Sequence, residues 1–193
     1  EKKMENVKKM RKTQSLDLSQ TGMTKRFVAY LLDWYLGAML VSLPTGMVSQ
    51  KIYGNMLHQN LLTFQKPYGL ICGILGLVCA MFYYMAVPLG KNKGQTLGKR
   101  IMKLKIVKEN GQDVDLKTIL LRQLVGIILI EGSLYSASAI LHQIIQLSTG
   151  FRIVVPLMII GLVIGVASAL FVAFHPKHRA FHDLIAHTKV VEV

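Results

Sequence analysis

The sequence predicts an all-α membrane protein, a four-transmembrane-helix bundle that carries a small cytoplasmic β-hairpin-like element. Three observations lead there. Of 193 residues, 52% are hydrophobic and 17% charged, below the ~25% charged residues of an ordinary soluble domain. Residues 68–88 hold no charge and residues 151–174 hold only Arg152. About 20 such residues cross ~30 Å of hydrocarbon at 1.5 Å each, and neither run has the polar face of a soluble helix. Finally, Lys and Arg gather in alternate connections. There are eight up to Arg26, two in 50–67, eight in 90–117, one in 143–152 and three in the C-terminal tail. Basic loops stay in the cytoplasm, so this alternation places both termini and the central segment inside and requires four spans.

Taken in order, residues 1–24 form a basic cytoplasmic tail, solvated or lying on anionic headgroups, and residues 25–193 form the membrane domain. The first span covers about 27–48 and contains Asp33 and Pro44. Proline removes a backbone donor, so a kink or an early end is expected near Leu43. A polar linker, 50–67, leads to the second span, 68–87. In the segment 90–117, residues 94–101 suit a short interfacial helix. Residues 102–108 alternate as a strand, and Glu109-Asn110-Gly111-Gln112 reads as a turn. The third span, about 119–142, is less clean, with Arg122, Glu131 and several serines; if it does not cross, the C-terminus moves outside. The fourth covers about 154–174. Residues 103–107 and 188–191 are short and β-branched, with too little apolar surface to stand alone, and are expected to pair on the cytoplasmic side. Gly69 with Gly73, and Gly161 with Gly165, permit close helix approach, within this chain or to another.

Several functions are disfavoured. A net charge of +13 would suggest nucleic acid in a soluble domain. Here the charge sits between apolar segments, and no basic stretch is interleaved with exposed aromatics. No secretory signal peptide is visible. Cys72 and Cys79 lie seven residues apart on one helix, ~10.5 Å of rise, too far for an undistorted disulfide. The run GQTLGKR, 94–100, fails as a phosphate loop, since Lys93 stands where glycine is needed and Arg100 where Ser or Thr would hold a metal. His175, His178, His182 and His187 could in principle meet a metal, but Pro176, Lys177 and Arg179 argue against it. No cofactor, metal or enzyme signature is present; there is no nucleophile–base pair.

The residues with chemistry to offer are charges inside spans. Asp33 and Glu131 cost ~2.5–3.5 kcal/mol or more in hydrocarbon unless they pair or protonate. Either they handle ions or protons, or they are buried pairs that hold helices together; for Glu131 the packing role is preferred. Arg26 shares a face with Asp33 but lies ~10 Å below it. Arg122 enters the third span from the inside and either snorkels or reaches Asp33. Asp183 follows a span that ends at the same surface. Arg26, Asp33, Arg122 and Asp183 are therefore expected to form one polar cluster at the inner end of the bundle.

Three separated motifs resemble the RDD family of bacterial membrane proteins. They are KRFVAYLLDWYL (25–36), with Arg26 and Asp33; GQTLGKRIMKLKIV (94–107), followed after a turn by LLRQL (120–124); and HRAFHDLIAHTKVV (178–191), with Asp183. Their order agrees, and the resemblance runs from about 25 to 191. The stretch 131–152 is longer and more polar than the family's apolar link. The resemblance implies a bacterial cell membrane location. It also implies, for some members, sodium–proton antiport, while others accompany unrelated proteins. Two functions follow as expectations. One is a small-cation or proton-coupled transporter, dimeric, with Asp33 handling the ion. The other is a non-transporting accessory, anchoring or immunity-type subunit that binds another membrane or exported protein. The expected partners are the lipid bilayer and either a second copy or a membrane protein partner.

Overall fold

A computed structural model describes residues 22–132, 136–174 and 179–193. Helix α1 (Met23–Tyr53) has 31 residues, about 46 Å at 1.5 Å each, longer than the hydrocarbon it would cross. It runs through Pro44 without the expected early end. Proline is tolerated in such helices where neighbours secure the freed backbone, and α1 packs closely on the second span here. The helix stops instead at Gly54, whose φ of 72° lets its N–H turn back to the Gln50 carbonyl.

Helix α2 spans Tyr68–Leu89. It is regular to Met81, then opens into wider π turns over Phe82–Ala86 before its last residues, Val87–Leu89. A short helix α3 (Leu97–Ile101) and strand β1 (Leu104–Lys108) follow. Helix α4 (Leu116–Glu131) starts at Asp115, whose carboxylate accepts from the Thr118 N–H, and is π-wound from Leu120 onward. Helix α5 is Ser136–Thr149. Helix α6 is Val154–Phe174, matching the span read from sequence, and after it come α7 (Phe181–Ile185) and β2 (Thr188–Glu192).

Two expectations need correction. The span 119–142 is not one straight helix: α4 and α5 are bent by 66° at the break between them. Two contacts fit the bend. Ser138 donates to the Ile128 carbonyl at 2.7 Å, and Ser138 lies so close to Gly132 that a Cβ there would sit 2.3 Å from its hydroxyl. Three helices are long and apolar enough to cross a membrane, and the total is four if the bent pair counts as one. The β element is also not a hairpin. β1 pairs antiparallel with the distant β2, from Leu104↔Glu192 to Lys108↔Thr188, as the expected pairing of 103–107 with 188–191 requires. The turn at 109–112 folds back only as far as a single bridge, Val107↔Asp113.

The main core lies between α1, α2 and α5, around Val41, Cys72, Tyr83 and Ile140. Gly73 faces α5: a Cβ there would fall 2.7 Å from Ile144. The small residues of α2 thus meet a helix of the same chain. A second, smaller core of Met85, Ile106, Val114 and Ile119 seats the sheet against the ends of α2 and α4. Helix α6 buries little beyond Gly161 and Ser168, so most of its apolar surface faces outward.

Candidate functional site: buried carboxylates closed by loops

Three carboxylates are held among the helices by the segments that connect them. Asp33 sits on the inner face of α1, 2% exposed. Its Oδ1 accepts from the Tyr83 hydroxyl at 2.9 Å and from the Gly98 N–H at 2.8 Å. Its Oδ2 accepts from the Thr96 hydroxyl at 2.5 Å and the Lys99 ammonium at 2.8 Å. Local sequence explains each donor. The π turns of α2 bring the adjacent Tyr83 and Tyr84 both onto α1, and the Tyr84 hydroxyl donates to the Asp33 carbonyl at 3.2 Å. Gly37 makes room for that ring, since a Cβ would lie 1.9 Å from the Tyr84 hydroxyl. Thr96 precedes α3, and Gly98 and Lys99 lie in its first turn. That turn has backbone N–H groups with no partner inside the helix. Gly98 must lack a side chain: its Cβ would meet Ala29 O at 2.6 Å and Asp33 Oδ1 at 2.8 Å.

Asp183 is fully buried in α7. Its Oδ1 accepts from Arg122 Nη1 at 2.5 Å and from the Thr188 hydroxyl at 3.2 Å. Its Oδ2 accepts from Arg26 Nη2 at 3.3 Å and the Ala180 N–H at 3.2 Å. One carboxylate therefore joins α1, α4, α7 and β2. Burial pushes its pKa up, but Arg122, His182, Arg26 and the Ala180 amide together outweigh that and hold it at about 2.

Glu131, at the end of α4, accepts from the Ser168 hydroxyl and the His182 N–H, both at 2.8 Å, and its Oε2 lies 2.7 Å from His182 Nδ1. It ties α4 to α6 and to the start of α7. Gly126 allows the approach, because a Cβ there would fall 2.6 Å from the Cβ of His182.

The single expected cluster is thus two. Arg26, Arg122 and Asp183 come together, whereas Asp33 has other partners; neither Arg26 nor Arg122 is among the hydrogen-bond donors to its carboxylate from the described residues. The reason is reach. Asp33 lies ~10 Å further along α1 than Arg26, and α3 fills the space beside it. Sequence reading missed Lys99, Thr96, Gly98 and Tyr83, along with Ser168, Thr188 and the pairing role of His182. One signal was present in the run GQTLGKR. It fails as a phosphate loop, yet its hydroxyl, amide and ammonium do hold an anion, the chain's own Asp33. Of the four histidines weighed as metal ligands, His175 and His178 lie outside the described residues. His182 serves Glu131, and among the described residues no three potential ligands gather.

Fold and site together define a helical membrane protein whose connecting segments fold back onto carboxylates buried among its helices. The particular family follows from the sequence as a whole: the chain belongs to the RDD family, whose model matches residues 20–187. No curated protein and no solved structure matches it.

Proposed function

We propose that this RDD-family chain is a non-transporting membrane subunit, an accessory or anchoring protein of the immunity type that binds another membrane or exported protein. One observation carries the reading. A carboxylate offers about four lone-pair positions, and in both Asp33 and Asp183 four donors from this chain occupy them. Acids engaged in this way act as internal pins between helices and leave no position for a passing ion. The same reading assigns the chain no catalytic chemistry. On the Lys and Arg count we place the sheet end and both termini in the cytoplasm of a bacterial cell. The outward apolar face of α6 meets lipid, a second copy or the partner.

A second reading, a small-cation or proton-coupled transporter of the sodium–proton antiport kind, is favoured by Lys99. Its ammonium is a point charge on a flexible stem and can swing away from Asp33, which it meets at 2.8 Å. If Lys99 withdrew, Asp33, Thr96 and Tyr83 would leave an all-oxygen set for a small cation.

The test is Asp33→Asn beside wild type, reconstituted in sealed vesicles and assayed for cation-dependent pH change. We expect no such change from either protein, unaltered protein levels, and a co-purifying partner in mild detergent. Cation-dependent proton movement by wild type that Asp33→Asn abolishes would overturn the subunit reading and establish the second.

A further inference from the structure

We infer that helix α3 is an anionic-phospholipid binding element, gripping the headgroup with Arg100 and Lys103 while Leu97 and Ile101 enter the acyl layer. The helix has two opposed faces. One presents the Gly98 N–H and Lys99 to Asp33 at 2.8 Å each. The other turns Leu97 (41% exposed) and Ile101 (63% exposed) outward, at i and i+4 and so on one side. Two apolar side chains held out on a five-residue helix gain nothing from water, but fit the boundary between headgroups and acyl chains. Phe27 and Tyr35 on α1, which packs against α3, are also exposed. Aromatic side chains are favoured at that depth.

Charge identifies the lipid. Each acid among the described residues already holds a basic partner: for example, Lys105 is on Asp113, Lys108 on Asp115 and Lys25 on Glu192. Arg100 within α3, and Lys91, Lys93 and Lys103 on either side of it, are exposed and in no salt bridge among the described residues. Exposed to solvent, they can take an anion from outside the described fold, although Lys93 also feels the Asp113 carboxylate. Beside an exposed apolar pair at a membrane boundary, that points to the phosphate of an anionic lipid, each basic residue near such a surface contributing about 1 kcal/mol. Because the opposite face of α3 closes over Asp33, lipid bound outside stabilises the closed site within. A ligand that binds only the folded state raises its stability.

The sole tryptophan, Trp34, adjoins Asp33 and reports melting by its fluorescence. The full chain in a neutral detergent is titrated with dioleoyl phosphatidylglycerol, with dioleoyl phosphatidylcholine, and with soluble glycerol phosphate. We expect a melting rise of about 5 °C with phosphatidylglycerol alone, most of it lost in Arg100→Gln/Lys103→Gln. Equal rises with both lipids, or an undiminished rise in the double variant, overturn the proposal. A full rise with glycerol phosphate shows a soluble-phosphate site and overturns it as well. If the double variant does not fold, wild type decides. The phosphatidylglycerol-specific rise must shrink in about 0.5 M salt, where charges are screened within a few ångströms, and a salt-insensitive rise refutes the assignment.

Discussion

Gly98→Ala is the smallest change that should open the Asp33 site. The added methyl would lie 2.6 Å from Ala29 O, 2.8 Å from Asp33 N and 2.8 Å from Asp33 Oδ1. Two of these atoms belong to the α1 backbone and the third to a carboxylate held by three other donors, so none can yield alone. Ordinary contact requires α3 to retreat from α1 by roughly half an ångström or more, as when extra methylenes are forced into a packed core. The 2.8 Å bond from the Gly98 N–H would be the first to lengthen. Hydrogen bonds to charged groups contribute ~1.5–3 kcal/mol, and overpacking costs ~1–3 kcal/mol. The combined loss is about 3 kcal/mol, a melting decrease of roughly 10 °C for a chain of this size. Trp34 fluorescence melting in detergent measures it. Gly22→Ala serves as control, since its methyl meets nothing within 4 Å. A Gly98→Ala protein that melts together with the Gly22→Ala control would refute the idea that contact of α3 with Asp33 holds the fold.

Other expectations follow from the same geometry. Asp183→Asn leaves the Arg122 guanidinium, 3% exposed, without its counter-charge and should cost ~3–5 kcal/mol; wild-type melting in that variant would show the pair to be dispensable. The pH dependence has a definite sign. The Asp183 pKa falls from 3.8 to about 2 on folding, so its contribution of roughly 2 kcal/mol is fully present above pH 3.8 and lost as pH falls toward 2. The acid-side decline in melting temperature should therefore be shallower in Asp183→Asn than in wild type, and identical slopes would contradict this. For topology, reporter fusions at Asn110 and after Val193 should read cytoplasmic and one at Asn60 external. An external reading after Val193 would exclude a four-span arrangement.

The apolar spans were readable because crossing hydrocarbon imposes length and composition on a segment directly. The helix 154–174 carries that signal in nearly every residue, so its bounds in the sequence and in the structure coincide. The span 119–142 was harder to read, because its polar residues answer to other elements. Glu131 is directed at Ser168 and His182, and Ser138 at the carbonyl of Ile128. Such partners lie up to 51 residues away in the chain, and local composition carries no trace of them.

By itself, then, the amino-acid order determined which segments are apolar enough for the membrane. It also determined that Asp33 and Glu131 need compensation and that 103–107 and 188–191 need each other. A buried charge and an unpaired strand are unfavourable wherever they occur, so their need for a partner can be inferred without knowing which one. The choice of partner belongs to the tertiary structure. Arg26 and Lys99 are both cations that could serve Asp33, and helical spacing alone puts Arg26 on its face. Lys99 prevails because the glycine at 98 lets α3 approach α1 closely enough for amide, hydroxyl and ammonium to reach one carboxylate together. Arg26 and Arg122 are left to close on Asp183, where four elements meet.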